Sequence, residues 1–353
     1  MLTIITFIIG NGFDLATGLK TSYKDFLDVY KKPKKDDSKA VKWFKTKILE
    51  PDSANWENWA DFEWQMGQAS SQFNGKNCVD DFNECVENFN TSFKEYLREE
   101  CEKIDWDSSE IDNCTDIFYN SISKFYEHIK SVDSWHSVEN FIGYECTADF
   151  VQFNYTSVFD KLLERSNWYL QDNSRFARYI YNMHIHGKMD GYITMGVDNV
   201  EQISNEEIRR NPTSRNIFVK SDNITLVHSQ DVNKTNYREQ AFQSIAESRV
   251  ICVFGSSIGA TDQSYWAAIG EWLKNKSGKL VIFDVSGVAK DNTGSPLALD
   301  TYDTAVKKAK RKILEQFANV SNLGMDWTKN NLDRIIIELD TEMFGFKFPM
   351  KQT

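Results

Sequence analysis

The stretch that decides the fold, residues 2–26, reads LTIITFIIGNGFDLATGLKTSYKDF. Its apolar and β-branched first part, residues 2–9, ends at the turn Gly10-Asn11-Gly12. Such a run is typical of a strand that is buried on both faces of a parallel sheet. Glycines can take positive φ and let a ligand approach the backbone, and free N–H groups at a helix start attract phosphate. The stretch therefore predicts a nucleotide-binding turn after the first strand of a doubly wound fold.

The turn departs from the dinucleotide fingerprint G-x-G-x-x-G, because Leu15 stands at the third glycine position. Asp14 places a carboxylate on the turn, where it can bind a ribose hydroxyl or an amide, or simply cap the helix. Further on, Ser22 and Asp25 have the spacing of a helix N-cap and its capping-box partner. These residues predict a strand, a turn and a helix, and leave the role of Asp14 open.

The composition is that of a globular chain of 353 residues with a net charge of -11. At roughly 100–200 residues per domain, this length predicts two or three structural units. The acidic balance argues against a broad nucleic-acid or anionic-membrane surface, and no stretch approaches the ~20 apolar residues of a membrane span. The 6 cysteines form no C-x-x-C pair. They favour buried thiols over a zinc site or disulfides, so we expect no metal and a cytoplasmic protein.

Residues 38–144 differ from the rest of the chain in their hydrophobic pattern, because their apolar residues recur at helical spacing, as at Phe82, Phe89 and Phe93. The pattern predicts a large α-helical insertion. Its aromatic stripe is most simply hydrophobic core. Glu63 lies among tryptophans, and it either belongs to a solvated face or reaches the nucleotide cleft.

Strand signals return after this insertion, at residues 149–153, 179–185, 192–195, 250–254, 279–283 and 334–339. Helical periodicity lies between them, at residues 158–165, 205–210, 238–246, 262–273 and 302–317. This alternation predicts an α/β fold: a Rossmann-like, mainly parallel sheet with helices on both faces. Residues 1–37 and 145–353 form the predicted nucleotide-binding domain, and residues 38–144 form the insertion. The polar, loop-rich residues 200–235 predict a lid.

Glycines and polar residues follow five predicted strands, at Gly10–Asp14, Asn154–Thr156, His186-Gly187, Gly255–Gly259 and Asp284. In an open α/β sheet, ligands bind outside the carboxyl ends of the strands. We therefore expect these five groups to converge on one crevice, which is a stronger signal than any single motif.

Two strand-end residues have chemistry that suits a reaction. His186 precedes a glycine and can act as a general base or contact a ribose hydroxyl. Asn154 offers both a donor and an acceptor, so it can hold a water or a ribose hydroxyl, or cap a turn or helix. His184 shares a strand face with His186. Because no third ligand is evident nearby, a structural role for His184 is favoured over a metal site.

The motifs IIGNGFD, FVQFNYT, HIHG with GVDN downstream, and FGSSIGATD occur in this order along nearly the whole chain. In this order they resemble the AbiH family of bacterial abortive-infection proteins. More distantly, they resemble the sirtuin-like NAD-binding domain. The resemblance implies an anti-phage effector that binds NAD as its substrate and hydrolyses it to nicotinamide and ADP-ribose.

The resemblance also implies roles for individual residues. Gly10 and Gly12 would face the pyrophosphate. Asn154 would lie near the nicotinamide ribose, and His186 would match the catalytic histidine. Asp14 is a third catalytic candidate, in contact with the nicotinamide amide or ribose. The other cofactor-binding residues are Asn11, Phe13, Thr156, Gly187, Gly255, Ser256, Ser257, Asp262 and Asp284.

Two departures from the sirtuin pattern count against an acyl-lysine substrate. The chain lacks a four-cysteine zinc module, and Thr156 stands where sirtuins carry an aspartate. The alternatives are a nucleotide-binding sensor without turnover, a NAD-dependent deacylase, and a nucleic-acid-directed toxin, which the acidic charge disfavours. Expected partners are NAD or a related nucleotide, a phage-derived trigger protein and a second protomer. The sequence assigns no role to Asp198.

Overall fold

The computed structural model describes residues 3–49, 59–143, 145–166, 176–222, 236–285 and 297–352. A six-stranded parallel sheet lies at its centre. The strands are β1 (Thr3–Ile9), β2 (Cys146–Gln152), β3 (Phe176–His184), β4 (Val250–Phe254), β5 (Lys279–Asp284) and β6 (Ile335–Leu339). The predicted α/β fold with a parallel sheet is confirmed.

The strand order is β3-β2-β1-β4-β5-β6. The chain therefore builds from β1 towards one edge of the sheet, returns to the other side of β1 at β4, and builds towards the opposite edge. This reversal leaves a crevice between β1 and β4 at the carboxyl ends of the strands, which is where doubly wound folds bind ligands.

Helices cover the sheet. Within the described residues, the α-helices before β2 are α1 (Gly12–Ala16), α2 (Tyr23–Tyr30), α3 (Lys39–Trp43), α4 (Trp59–Ala69), α5 (Cys78–Glu102), α6 (Glu110–Ser123) and α7 (Val132–Ile142). A π-helical turn, Phe44–Leu49, continues α3. The helices that follow are α8 (Val158–Arg165), α9 (Glu206–Arg210), α10 (Pro212–Phe218), α11 (Tyr237–Glu247), α12 (Gln263–Asn275), α13 (Leu297–Val320) and α14 (Met325–Lys329).

Both faces of the sheet are apolar, because successive side chains of a strand point to opposite sides. On one face, Phe7 of β1 lies 5.4 Å from Phe125 and 5.5 Å from Phe150, measured between ring centroids. On the other face, Ile8 belongs to a core that includes Trp266 of α12. The prediction of helices on both faces is therefore confirmed.

The helices of the predicted insertion share one hydrophobic core with the sheet, since Phe82, Phe89 and Phe118 belong to the same cluster as Phe7. The domain boundaries at residues 37/38 and 144/145 stay a prediction. All six cysteines are buried free thiols, as expected.

One predicted strand is wrong. Residues 192–195 make a single bridge, between Gly187 and Ile193, and do not join the sheet. Their backbone instead bonds to the chain just before them: Thr194 N donates to His186 O (3.0 Å), and Lys188 N donates to Tyr192 O (3.1 Å). Of the predicted lid, residues 223–235 lie outside the described residues. The described part contains α9 and α10.

The turns after β1 and β4 touch through their backbones. A Cβ built on Gly10 would lie 2.4 Å from Ser256 Cα and 2.5 Å from Gly255 O, and one built on Gly12 would lie 2.4 Å from Gly255 Cα. Gly10 and Gly12 do not adopt the positive φ that is open to glycine, whereas Gly255 has a φ of +60°. The two glycines of the first motif are thus required by contact between the turns, independently of any ligand.

We expect the Gly10→Ala variant to be destabilised by at least about 1–3 kcal/mol, because the new methyl group meets backbone atoms that cannot move separately. The matched control is Gly191→Ala, where the nearest atom lies 3.9 Å from the new Cβ and the loss should stay within about 0.5 kcal/mol. Urea denaturation measures both. Equal stability of the two variants would contradict the turn-to-turn constraint.

Candidate functional site

A cavity of about 1050 Å³ lies at the carboxyl edge of the sheet. Its walls are the turn after β1, the loop after β4 and the end of β5, together with side chains of α13 and of residues 340–347. This is the switch-point crevice that the strand order predicts. The predicted site residues on its walls are Gly10, Asn11, Gly12, His186, Gly255, Ser256, Ser257, Asp262 and Asp284.

The backbone of the glycine turn is already engaged within the protein. Gly10 N donates to Phe254 O (2.9 Å), Gly12 N to Gly255 O (2.8 Å) and Phe13 N to Gly10 O (3.0 Å). These N–H groups are therefore not free for a phosphate, contrary to the expectation from the sequence. Asn11 is also tied internally, since its side chain donates to Thr21 O and accepts from the Thr21 hydroxyl.

Three predicted residues form a second, enclosed group, the Asp14 cluster: Asp14, Asn154 and Thr156. Asn154 Nδ2 and Thr156 Oγ1 donate to Asp14 Oδ1 over 2.8 and 3.0 Å. Asp14 Oδ2 accepts no hydrogen bond of good geometry from the described residues. Burial raises the pKa of Asp14 to about 7, and the donations from Asn154, Thr156 and the nearby Thr21 offset this only partly.

The Asp14 cluster lies behind the cavity wall, because none of its members is among the described residues that line the cavity. Asn154 also fixes its own loop: its Oδ1 accepts from Tyr155 N over 2.8 Å. Phe13 is likewise absent from the wall, since its ring packs in the core against Phe159 and Phe344. The predicted contacts of Asp14, Asn154, Thr156 and Phe13 with a ligand are thus not seen at this cavity.

His186 belongs to a different group, which we call the lysine cluster: Glu63, His186, Lys220 and Asp262. Lys220 Nζ lies 2.8 Å from Glu63 Oε2 and 3.0 Å from Asp262 Oδ1. His186 Nε2 lies 2.8 Å from Asp262 Oδ1, an ion-pair distance without the alignment of a good hydrogen bond. All four side chains are buried and reach the cavity wall.

The charges of the lysine cluster follow from burial and from two carboxylates sharing one ammonium group. Burial raises the pKa of Glu63 to about 7, Lys220 opposes this shift and Asp262 adds to it. Burial would also raise the pKa of Asp262, but Lys220 and His186 hold it well below its usual value. Burial and Lys220 lower the pKa of His186. At neutral pH, Lys220 and Asp262 are therefore charged, and the imidazole is neutral.

The remaining predicted residues have structural partners. His184 Nε2 lies 2.8 Å from Asp160 Oδ2, and its Nδ1 lies 3.3 Å from Asn154 O, which confirms the structural interpretation. His184 and His186 thus have different partners, although they are two residues apart. Gly187 is not on the cavity wall and turns the chain with a φ of +78°. Asp198, which had no assigned role, accepts from Ser264 Oγ over 2.6 Å.

Lys220 is the site residue that sequence reasoning missed. It directly follows the apolar run Ile217–Val219, and a lone lysine there is the one signal that could have marked it. Glu63, which comes from α4 in the helical region, does reach the cavity. Within the described residues, no group of three or more His, Cys, Asp or Glu side chains is placed to hold a metal ion.

The pH dependence of stability should reveal the buried Asp14. Its folded pKa of about 7 lies above the unfolded value, so the folded protein retains a proton that the unfolded chain loses. This contribution is full below the unfolded pKa and is lost as the pH rises towards 7. Relative to Asp14→Asn, which keeps the Oδ1 acceptor, the wild type should lose about 2–3 kcal/mol of unfolding free energy between pH 5 and pH 8. Parallel pH profiles of the two proteins would contradict the raised pKa.

Removal of the Lys220 charge should be costly, since it leaves two buried carboxylates without their cation. We expect Lys220→Met to lose about 3–5 kcal/mol of unfolding free energy, and a further Glu63→Gln change to recover part of the loss. Lys307→Met, at an exposed lysine of α13, is the control. Denaturation at pH 7.5 measures all variants, and a loss no larger than that of the control would contradict the ion-pair network.

A family model described as "Bacteriophage abortive infection AbiH" matches residues 6–284. The chain belongs to the AbiH family. The match runs from Thr6, within β1, to the end of β5, and it includes both glycine turns and all members of the Asp14 and lysine clusters. It ends before α13 and residues 340–347, which complete the cavity wall. A search of the curated proteins finds no match.

Family membership indicates that this AbiH protein acts in abortive infection by bacteriophage. Among the residues that the structure describes, no helix combines the length and the apolar character needed to cross a membrane. The sirtuin-like resemblance stays a prediction.

Proposed function

We propose that this AbiH protein binds NAD in the switch-point cavity and hydrolyses the bond between nicotinamide and ribose. The observation that supports the proposal is the position of His186: the histidine to which the sirtuin-like resemblance would give the catalytic role lines the cavity beside an ionised carboxylate, Asp262. The cavity volume of about 1050 Å³ suits a dinucleotide, since small-molecule sites commonly measure about 300–1000 Å³.

The chemistry requires a positive charge to be stabilised and a proton to be removed. As the bond from ribose C1′ to the nicotinamide nitrogen breaks, its electron pair leaves with nicotinamide and positive charge develops on the ribose. Asp262, kept ionised by Lys220, can stabilise this charge. The neutral His186 can accept a proton from water as its oxygen bonds to C1′. The products are nicotinamide, ADP-ribose and a proton that passes to solvent.

Asn154 and Asp14 act in this scheme as positioning residues. Asn154 joins the backbone of Tyr155 to Asp14 through hydrogen bonds of 2.8 Å each. Tyr155 in turn lines the cavity, and its ring lies 6.0 Å from that of His186. The Asp14 cluster thus supports the wall against which His186 lies, without touching the substrate.

A nucleotide-binding sensor without turnover is the second candidate. It is favoured by the place of Asn154, because the amide assigned to the ribose lies behind the wall and not on it. A deacylase remains disfavoured by the sequence departures from the sirtuin pattern.

Nicotinamide release from NAD tests the proposal. We expect release by the wild type and a decrease of about 10²–10⁴-fold in kcat for His186→Ala, since the general base is lost. His136→Ala, at a half-exposed histidine of α7, should retain the wild-type rate. Thermal melts check that each variant is folded.

The same proteins separate the alternatives. Full activity of a folded His186→Ala protein would contradict the role of this histidine. NAD binding without release by the wild type would favour the sensor. Absence of both binding and release would overturn the proposed NAD site.

A further inference from the structure

Above pH 7, the lysine cluster carries more negative than positive charge. When Glu63 is ionised, Glu63 and Asp262 provide two carboxylates, Lys220 provides one ammonium group and His186 is neutral, so the cluster has a net charge of -1. Because burial raises the pKa of Glu63 to about 7, this charged state predominates above pH 7. Each of these side chains is at most 9% exposed. Uncompensated charge in a buried place is costly, and a cation that enters from the cavity would relieve that cost.

We propose that the lysine cluster is a subsite for a cationic aromatic ring, the pyridinium of NAD⁺, and selects NAD⁺ over NADH. The inference rests on the NAD-binding part of the proposed function and adds the choice of redox form. The reduced ring of NADH is neutral and gains no such attraction.

Aromatic side chains beside the cluster suit a flat cation. The rings of Phe153 and Tyr155 lie 5.1 and 6.0 Å from the ring of His186, and all three residues line the cavity. Aromatic faces attract cations within about 6 Å of the ring centroid. The subsite therefore offers both a net negative charge and surfaces on which a charged ring can lie.

The other lysines of the cavity wall lie near the opposite edge of the sheet. Lys312 is on α13, which packs against β6, and Lys347 follows β6. His186 of the lysine cluster follows β3, at the opposite edge of the strand order. The side of the cavity towards β6 therefore holds Lys312 and Lys347 together with the carboxylates of Asp284 and Asp340, whereas the lysine cluster lies on the side towards β3. Each lysine ammonium group carries three N–H donors, so these lysines are candidates for phosphate contacts even though Lys347 Nζ already donates to Ala16 O.

Binding of carba-NAD⁺ and of NADH to the full chain, measured by calorimetry at pH 8, where Glu63 is ionised, tests the inference. Carba-NAD⁺ retains the pyridinium charge but has no hydrolysable ribose bond. We expect the wild type to bind carba-NAD⁺ at least ~10-fold more tightly than NADH, which equals about 1.4 kcal/mol. In Glu63→Gln, the ratio should approach one.

A matched control distinguishes a local subsite from general repulsion by an acidic protein. Glu95→Gln removes one exposed carboxylate of α5 and should leave the wild-type ratio unchanged. An equal loss of preference in both variants would overturn the subsite, as would an unchanged preference in a folded Glu63→Gln protein.

The wild type alone already decides two outcomes, even if Glu63→Gln fails to fold. Tight binding of both nucleotides with equal affinity would overturn the inference and leave NAD binding intact. Binding of neither nucleotide would overturn the NAD site and the inference with it. Nicotinamide release is measured separately, so evidence against the selection of NAD⁺ would not contradict hydrolysis.

Discussion

Backbone contact between the turns after β1 and β4 is the constraint on which the site depends. Neither Gly10 nor Gly12 has room for a Cβ, because Gly255 and Ser256 occupy that space. The contact fixes the two strands on either side of the switch point at their carboxyl ends. The cavity then opens beyond the paired turns, with its remaining walls supplied by distant parts of the chain. The primary role of the glycine motif is thus to let the two turns pack together, and its place on the cavity wall is secondary.

The second organising feature is the burial of charge around residues 154–156. On one side, Asp14 takes up a proton more readily because it is enclosed and only partly hydrogen-bonded. On the other side, Lys220 neutralises one carboxylate of the lysine cluster and leaves the charge of the second carboxylate available to a ligand cation. Tyr155 lies between the groups, with its backbone bonded to Asn154 and its hydroxyl 3.5 Å from Glu63. The Asp14 cluster and the lysine cluster, whose acidic residues lie far apart in the sequence, therefore support the same wall of the cavity.

Local patterns were sufficient to predict the parts of the fold that depend on neighbours in sequence. Strand β4 and helix α8 have the predicted bounds, and the Ser22 cap is observed. The strand predicted at residues 192–195 does not join the sheet, because Thr194 N and Tyr192 O pair instead with His186 O and Lys188 N of the preceding turn. The site was predicted only in part: His186 reaches the cavity, but the partnership of Lys220 with Glu63 spans 157 residues and has no local signal. Phe13 looked like part of a ligand motif, and only tertiary packing shows its ring in the core.

A crystal structure of the protein with bound carba-NAD⁺ would test the central claim most directly. We predict that the nucleotide fills the cavity between β1 and β4, with the pyridinium ring against Phe153 and Tyr155 and its charge facing Glu63 and Asp262. The pyrophosphate should then lie towards Lys312. A nucleotide bound outside this cavity, or one bound in reverse with adenine at the lysine cluster, would contradict the claim.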